Sequence, residues 1–385
     1  MGRRSQKYSL MTYIWQKKNW TQFNWDSNEL ITPLAKARKC QGYLLGKADF
    51  LKLESEADLF VEEAYQTSSI EGEALSKKSI RSSVAKRLGL TAAGLPEAER
   101  KADGLVQILV DATKNYHTPL TNERLWGWQA GLFPTGYSGI RKLDVGKYRS
   151  STMPMQVISG PMGKEKVHFE APPSISVGPE MKRFLSWFNS LPNQETDGII
   201  KAALTHFWFI TIHPFEDGNG RIARAITDMA LAQDEKSSRR LYSLSSAINK
   251  HRTSYYKILE SCQKSQGDLT PWLTWFLEIF CDCLESSKSM ILTAEKVSYF
   301  YQNISQSTLN ARQQKVIDKI IRKLPEEFEG GLSNKKYVSI TKTSPESAKR
   351  DLRDLLDKGI LLKNEGKGRA FSYRLNEKLL APPNN

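Results

Sequence analysis

TIHPFEDGNGRIARAITDMALAQ, residues 211–233, follows directly on the helical pattern DGIIKAALTHFWFI, residues 197–210, and the passage between them decides how the rest of the chain is read. Pro214 disfavours helical geometry at the residue before it, so the first helix ends at His213 and leaves the imidazole at the mouth of a loop. Gly218 and Gly220 allow backbone conformations that other residues rarely adopt, immediately before a second helix that begins near Arg221. Successive amides at a helix N-terminus make an anion site. Arg221 and Arg224 are three apart, hence on one face of the first turn, where the macrodipole disfavours positive charge. Two arginines set against the dipole point to a strongly anionic ligand, and their planar forks suit phosphate oxygens. Asp217 beside them could hold Mg²⁺, an ion that takes a carboxylate together with substrate oxygens.

Other phosphate and metal chemistries lack their residues. No G-x-x-x-x-G-K-[ST] string is present; the nearest, SGPMGKEK at 159–166, has the wrong spacing. His206 and His213 are seven apart with no third ligand at useful spacing, which disfavours zinc. Cys40, Cys262, Cys281 and Cys283 are too few and too irregular for a disulfide framework.

The string HPFEDGNGRIAR, residues 213–224, matches H-x-F-x-[DE]-[AG]-N-[GK]-R-x-x-R at every defined position, and in this the chain resembles the Fic family. The resemblance implies a protein adenylyltransferase that moves AMP from ATP onto a Ser, Thr or Tyr hydroxyl. In it, His213 is the general base and Asp217 places the metal. Gly218, Asn219, Gly220 and Arg221 hold the α- and β-phosphates, Arg224 reaches the terminal phosphates, Glu216 lies among the nucleotide-binding positions, and Phe215 packs the loop into the core. The physical reading agrees: a neutral imidazole can accept a hydroxyl proton, while cationic and backbone donors stabilise charge gathering on the attacked phosphate.

Three further segments are similar to parts of that family. GKYRSS at 146–151, the MQVI run and HFEAPP at 168–173 resemble its flap, a hairpin with runs around Val157 and Val167 that binds a target backbone by strand addition; Met155, Gln156 and Val157 are the contact candidates. The segment from Ser246 to Phe280 resembles the one that lines the adenine pocket, with Tyr255, Tyr256 and Gln263 at the matching positions, although aromatics at helical spacing are commonly core. TSSIEG, residues 67–72, fits [ST]-x-x-x-E-[GN], the mark of an inhibitory helix whose glutamate, here Glu71, pairs with the second arginine, Arg224, in competition with the γ-phosphate.

Outward from this centre, the 385 residues divide into an N-terminal helical block, 1–100, which includes the inhibitory helix, a catalytic core, 105–284, and a third block, 307–378. Helix-period patterns outnumber alternating ones, so the fold class is mainly α; the resemblance implies a Fic-type helical core with a β-hairpin flap. Trp15, Trp20 and Trp25 read as local core. In the third block Ser344 is an N-cap, Pro345 a first helical residue and Gly359 a stop, followed by ILLKNEGKGRAFSYRLN, residues 360–376; helix, helix, helix, hairpin is the order of a winged helix-turn-helix. Residues 311–385 carry 17 basic and 10 acidic side chains, half of the chain's net charge of +14.

That charge favours anionic partners. Besides ATP, Mg²⁺ and a protein target, for which the chain itself is one candidate, DNA is a candidate through the helix 344–358 and the wing 363–374, with Asp351, Asp354 and Asp357 diluting the helix's positive face. A DNA-binding regulator with a Fic sensor module, and removal rather than transfer of AMP, remain the alternatives. No apolar run reaches the ~18 residues of a membrane span, and MGRRSQKYSLMTYIWQ lacks a leader's apolar region, so a cytoplasmic protein is expected. A homodimer burying the inhibitory helix is a further expectation.

Overall fold

The structure is a computed structural model, and it describes residues 13–159, 165–190, 196–304, 308–322, 331–364 and 372–382. The chain forms two compact units, Met1–Gly46 with Leu53–Ser287, and Lys47–Lys52 with Lys288–Asn385. The first unit therefore contains both the N-terminal helices and the loop of interest.

In that unit the helices are α1 (Ser27–Gly46), α2 (Leu53–Ile70), α3 (Lys77–Leu88), α4 (Arg100–Lys114) and α5 (Asn122–Leu132). Two small hairpins follow, β1 (Tyr137–Ser138) with β2 (Arg141–Lys142), and β3 (Gln156–Ser159) with β4 (Lys166–Glu170). Then come α6 (Ser174–Asn189), α7 (Gly198–Ile212), α8 (Asn219–Glu235), α9 (Leu244–Lys250), α10 (Arg252–Gln263) and the start of the long α11 (Thr270–Asn303). The mainly helical class is as the sequence predicts. Among the described residues no helix is long and apolar enough to cross a membrane.

Two helices form the centre, buried on nearly every side. In α7 every residue from Ala202 to Ile212 is buried, and in α8 the run from Arg221 to Ala232 is buried as well. α7, apolar nearly all round, can be satisfied only in a core; α8 packs along it with α2, α4 and α5 around, and its buried Arg224 and Asp228 are met by charged partners. Trp20 is buried and meets Trp208 edge-on at 6.2 Å, whereas Trp15 and Trp25 are half-buried. Where α4 crosses α5 the backbones touch: a Cβ on Gly104 would overlap the Gly131 carbonyl. Glycine is required there by space. The C-terminal end of α5 then delivers Leu132 and Phe133 beneath the loop between α7 and α8.

The second unit holds the rest of α11, then α12 (Ala311–Arg322), α13 (Asn334–Thr341), α14 (Pro345–Asp357) and the antiparallel pair β5 (Leu361–Lys363) and β6 (Tyr373–Leu375). Val316, Ile317, Tyr337, Leu352, Leu355 and Leu361 share its core. This is the expected element order, although residues 365–371 of the expected wing lie outside the described residues, as do 160–164 of the flap turn. One expectation is corrected. Asp351 does not dilute an exposed positive face: it is buried, accepting from Arg312 at 2.8 Å, from the Tyr337 hydroxyl at 2.9 Å and from Asn310 at 3.0 Å. A buried carboxylate needs such partners.

Candidate phosphate-binding site

The loop between α7 and α8 closes on itself. His213 ends α7 with a left-handed backbone, φ 52°, and its amide donates to the Phe209 carbonyl at 3.0 Å. Phe215 is fully buried, its ring 5.4 Å from Tyr148. Asn219, buried at the first position of α8, accepts from the Phe215 amide at 2.9 Å and donates to the Phe215 carbonyl at 2.8 Å. Its amide therefore holds the loop's shape; the contacts it makes are with backbone, not with the space in front of the arginines. Gly218 carries φ 89°, which favours glycine, and caps α8 without a side-chain hydrogen bond. The first amides of α8 have no acceptors within the helix.

The imidazole of His213 is held by the last turn of its own helix, and the backbone that carries it is braced by a residue far off in sequence. Its Nδ1 donates to the Ile210 carbonyl at 3.3 Å, which leaves Nε2 with the lone pair. Burial pushes its pKa down to about 4, Arg149 adding to the fall against the hydrogen bond to Ile210 and the charges of Glu71 and Asp217. The ring is neutral over the physiological range, as a general base must be. Arg149 is itself buried and braces the turn: Nε donates to the His213 carbonyl at 2.8 Å, Nη2 to the Pro172 carbonyl at 2.5 Å, and its amide to the Pro214 carbonyl at 2.9 Å. Sequence reasoning quoted Arg149 within GKYRSS without a role for it.

Both arginines of α8 are buried, and both meet carboxylates from the turn that ends α2. Arg224 donates through Nη2 to Glu71 Oε1 at 2.6 Å and to the Thr67 carbonyl at 3.0 Å, and through Nε to the Thr67 hydroxyl at 2.6 Å. Its pKa is raised: burial opposes the charge, and Glu71 more than offsets it. Arg221 pairs through Nη1 with Glu73, approaches Asp217 at 3.7 Å and lies over the Phe133 ring at 5.1 Å. Each guanidinium keeps a buried nitrogen without a hydrogen-bond partner, Arg224 Nη1 and Arg221 Nε. Buried donors left unpaired are costly, and Arg224 Nη1 lies beside Gly220 in the first turn of α8.

The turn itself explains how two glutamates reach two arginines. Glu71 and Glu73 amides both donate to the Ser68 carbonyl at 3.0 Å, the Gly72 amide donates to the Ser69 carbonyl at 3.0 Å, and Gly72 has φ 76°. This is the Schellman ending, which needs a left-handed residue after the helix. The Glu71 carboxylate lies so near α8 that a Cβ on Gly220 would run into it. Glu73 is a site residue that sequence reasoning missed; its only signal was a second acid two places beyond the first.

The remaining positions are distributed unevenly. Asp217 accepts from the Ser138 hydroxyl at 2.5 Å and from the Gly218 amide at 2.6 Å. No group of three or more His, Cys, Asp or Glu side chains suited to a metal occurs among the described residues, so one carboxylate fits Mg²⁺ only where phosphate oxygens complete the shell. Glu216 faces away from the arginines, accepting from the Asp144 amide at 3.2 Å and pairing with Arg141 at 3.5 Å. Of the expected base-pocket residues only Tyr256 is exposed, at 40%, with its hydroxyl donating to the Ile70 carbonyl at 3.3 Å. Tyr255 is buried and donates to His206 Nε2 at 2.8 Å, and Gln263 is buried against Thr211 at 3.3 Å. In the flap, β3 and β4 pair with a register shift between Val157 and Ile158. Met155 and Val157 pack towards Tyr13, Phe169 and Ala171, and Gln156 bonds Glu170 at 2.8 Å. Among the described strands β3 pairs only with β4, so its other edge has no strand partner.

Comparison with known proteins fits this geometry. Residues 119–231 match the Fic/DOC family, and residues 13–90 match a domain of unknown function, DUF4172. A "Protein adenylyltransferase Fic" of Drosophila grimshawi is 29% identical over 156 residues, 39% of this chain and 29% of that protein. The protein of the same name from Drosophila mojavensis is 32% identical over 114 residues, 30% of this chain and 20% of that one. The chain thus matches less than a third of the length of these relatives. The crystal structure of a Fic family protein from Desulfovibrio desulfuricans G20 has the same fold, with a TM-score of 0.54 at 18% identity over 90% of this chain and 96% of that one.

Proposed function

We propose, from the premise that this is a Fic family protein whose Fic/DOC region spans residues 119–231, that it transfers AMP from ATP to a Ser, Thr or Tyr hydroxyl of a protein, with Glu71 as a built-in brake. The observation that carries the reading is the pair of buried arginines on one face of α8, each with an unpartnered nitrogen at an uncapped helix N-terminus. Helix amides and guanidinium forks together form a polyphosphate cradle.

In this reading His213 Nε2 takes the proton of the target hydroxyl. The oxygen forms a bond to the α-phosphorus as the bond from that phosphorus to the α,β-bridging oxygen breaks, and pyrophosphate leaves with the electron pair. Arg221 and the α8 amides stabilise the charge gathering on the phosphate, and Arg224 takes the terminal phosphates once Glu71 releases it. Asp217 would hold Mg²⁺, which supplies charge neutralisation on the phosphates. The edge of β3 without a strand partner receives the target backbone, a contact that needs no particular target side chain. Tyr256 is the one expected pocket residue exposed enough to meet an adenine face.

The test is mass spectrometry for AMP on the protein after incubation with ATP and Mg²⁺. Adduct that is strong in Glu71→Gly, weak in the unaltered chain and absent from Glu71→Gly/His213→Ala is expected. A Glu71→Gly protein that binds ATP and carries no AMP on itself or on lysate proteins overturns the transfer reading.

A further inference from the structure

We propose that Glu73 is a second restraining carboxylate, which occupies Arg221 as Glu71 occupies Arg224, so that the turn closing α2 controls both ends of the polyphosphate. The inference rests on the nucleotide reading of the same site and adds to it a specificity for phosphate number.

Four observations converge. Glu73 Oε2 pairs directly with Arg221 Nη1. Arg221 is buried, so the pair is weakly screened, whereas Glu73 is a quarter exposed and can move. Its other oxygen pairs at 3.1 Å with Lys101, a half-buried side chain that would keep a partner for Glu73 after Arg221 is given up. And the Schellman turn around Gly72 fixes Glu71 and Glu73 on the same side, so the two contacts are made by one rigid element. Arg221 Nε meanwhile remains without a partner, so the pair with Glu73 does not use all of the guanidinium's donors.

The two carboxylates then act on different phosphates. Glu71 competes with the terminal phosphate, which only ATP has. Glu73 competes with the phosphates that ATP and ADP share. Titration calorimetry with ATP and with ADP, in Mg²⁺, on the whole chain separates them. Glu71→Gly is expected to tighten ATP and leave ADP within twofold; Glu73→Gln is expected to tighten both by about tenfold, the effect of releasing one charge-assisted hydrogen bond. Glu73→Ala should act in the same direction, and thermal melts identify a variant that fails to fold. Unchanged or weaker ADP binding in both Glu73 variants, beside a Glu71→Gly protein that gains ATP, overturns the role of Glu73 and leaves the proposed function standing. No binding of either nucleotide to any variant overturns the nucleotide reading and this inference with it.

Discussion

The N-termini of α14 and α8 meet the same physical problem, four amides without acceptors, with opposite chemistry. At α14 the Ser344 hydroxyl accepts from the Ser347 amide at 3.2 Å, Pro345 removes a donor, and Glu346 sets a negative charge in the first turn. That end is completed by its own residues. At α8 the cap is Gly218, no side chain accepts from the first turn, and the charges there are Arg221 and Arg224. That end is completed by carboxylates from another helix, and it retains donors without partners. A helix start that breaks every stabilising rule is one whose partner comes from elsewhere.

The contrast can be broken most forcefully at Arg149. Arg149→Ala removes the donor to the buried carbonyls of His213 and Pro172, and leaving such groups unpaired is expected to cost about 3 kcal/mol in denaturant melts, with transfer lost. A variant of unchanged stability and activity would mean that the α8 end is as self-sufficient as that of α14. Next in size is Gly218→Ala. A left-handed alanine costs roughly 1–2 kcal/mol, and its Cβ would stand 2.9 Å from Leu132 Cδ1. Melts of this variant should lose the shift that ATP produces in the unaltered protein; a retained shift would mean that the loop tolerates another backbone. Ser344→Ala should destabilise by about 1 kcal/mol and leave the ATP shift untouched, and a lost shift would contradict the independence of the two helix ends.

The smallest expected effect is near zero. With the His213 pKa at about 4, the transfer rate should vary less than about twofold from pH 5 to 8, where an imidazole near 6.5 would lose its base form about thirtyfold by pH 5. A fall centred near pH 6.5 would show that the ring is not held neutral. Stability has a defined sign as well. Burial depresses His213 to about 4 and His206 to about 3, so their contribution is full above about pH 6.5, where the unfolded imidazoles also are neutral, and declines as pH falls below it.

How much of this could be read beforehand followed the range of the interaction. Pro214 and Gly218 act on their own backbone, so the end of α7, the loop and the start of α8 were legible, as were Ser344, Pro345 and Gly359 around α14; Gly220, already helical, instead makes room for Glu71. Arg149 and Glu73 act on residues 64 and 148 positions away, and no periodicity marks such a pairing. Adjacent tyrosines point to different faces of one helix, so that Tyr255 is core and Tyr256 is exposed could be settled only by what α10 packs against. Asn219 and Glu216 carried the right chemistry for a phosphate loop, but their side chains turned to the backbone of Phe215 and Asp144.

The crossing of α4 and α5 at Gly104 and Gly131 has a genetic consequence. Any side chain at Gly104 must push α5 outward, and α5 ends in the Leu132 and Phe133 on which Gly218 and Arg221 rest. A screen for conditional alleles should therefore return Gly104→Ala or Gly104→Ser: folded and functional in the cold, inactive on warming, and mapped to a helix that supplies none of the proposed phosphate-binding residues.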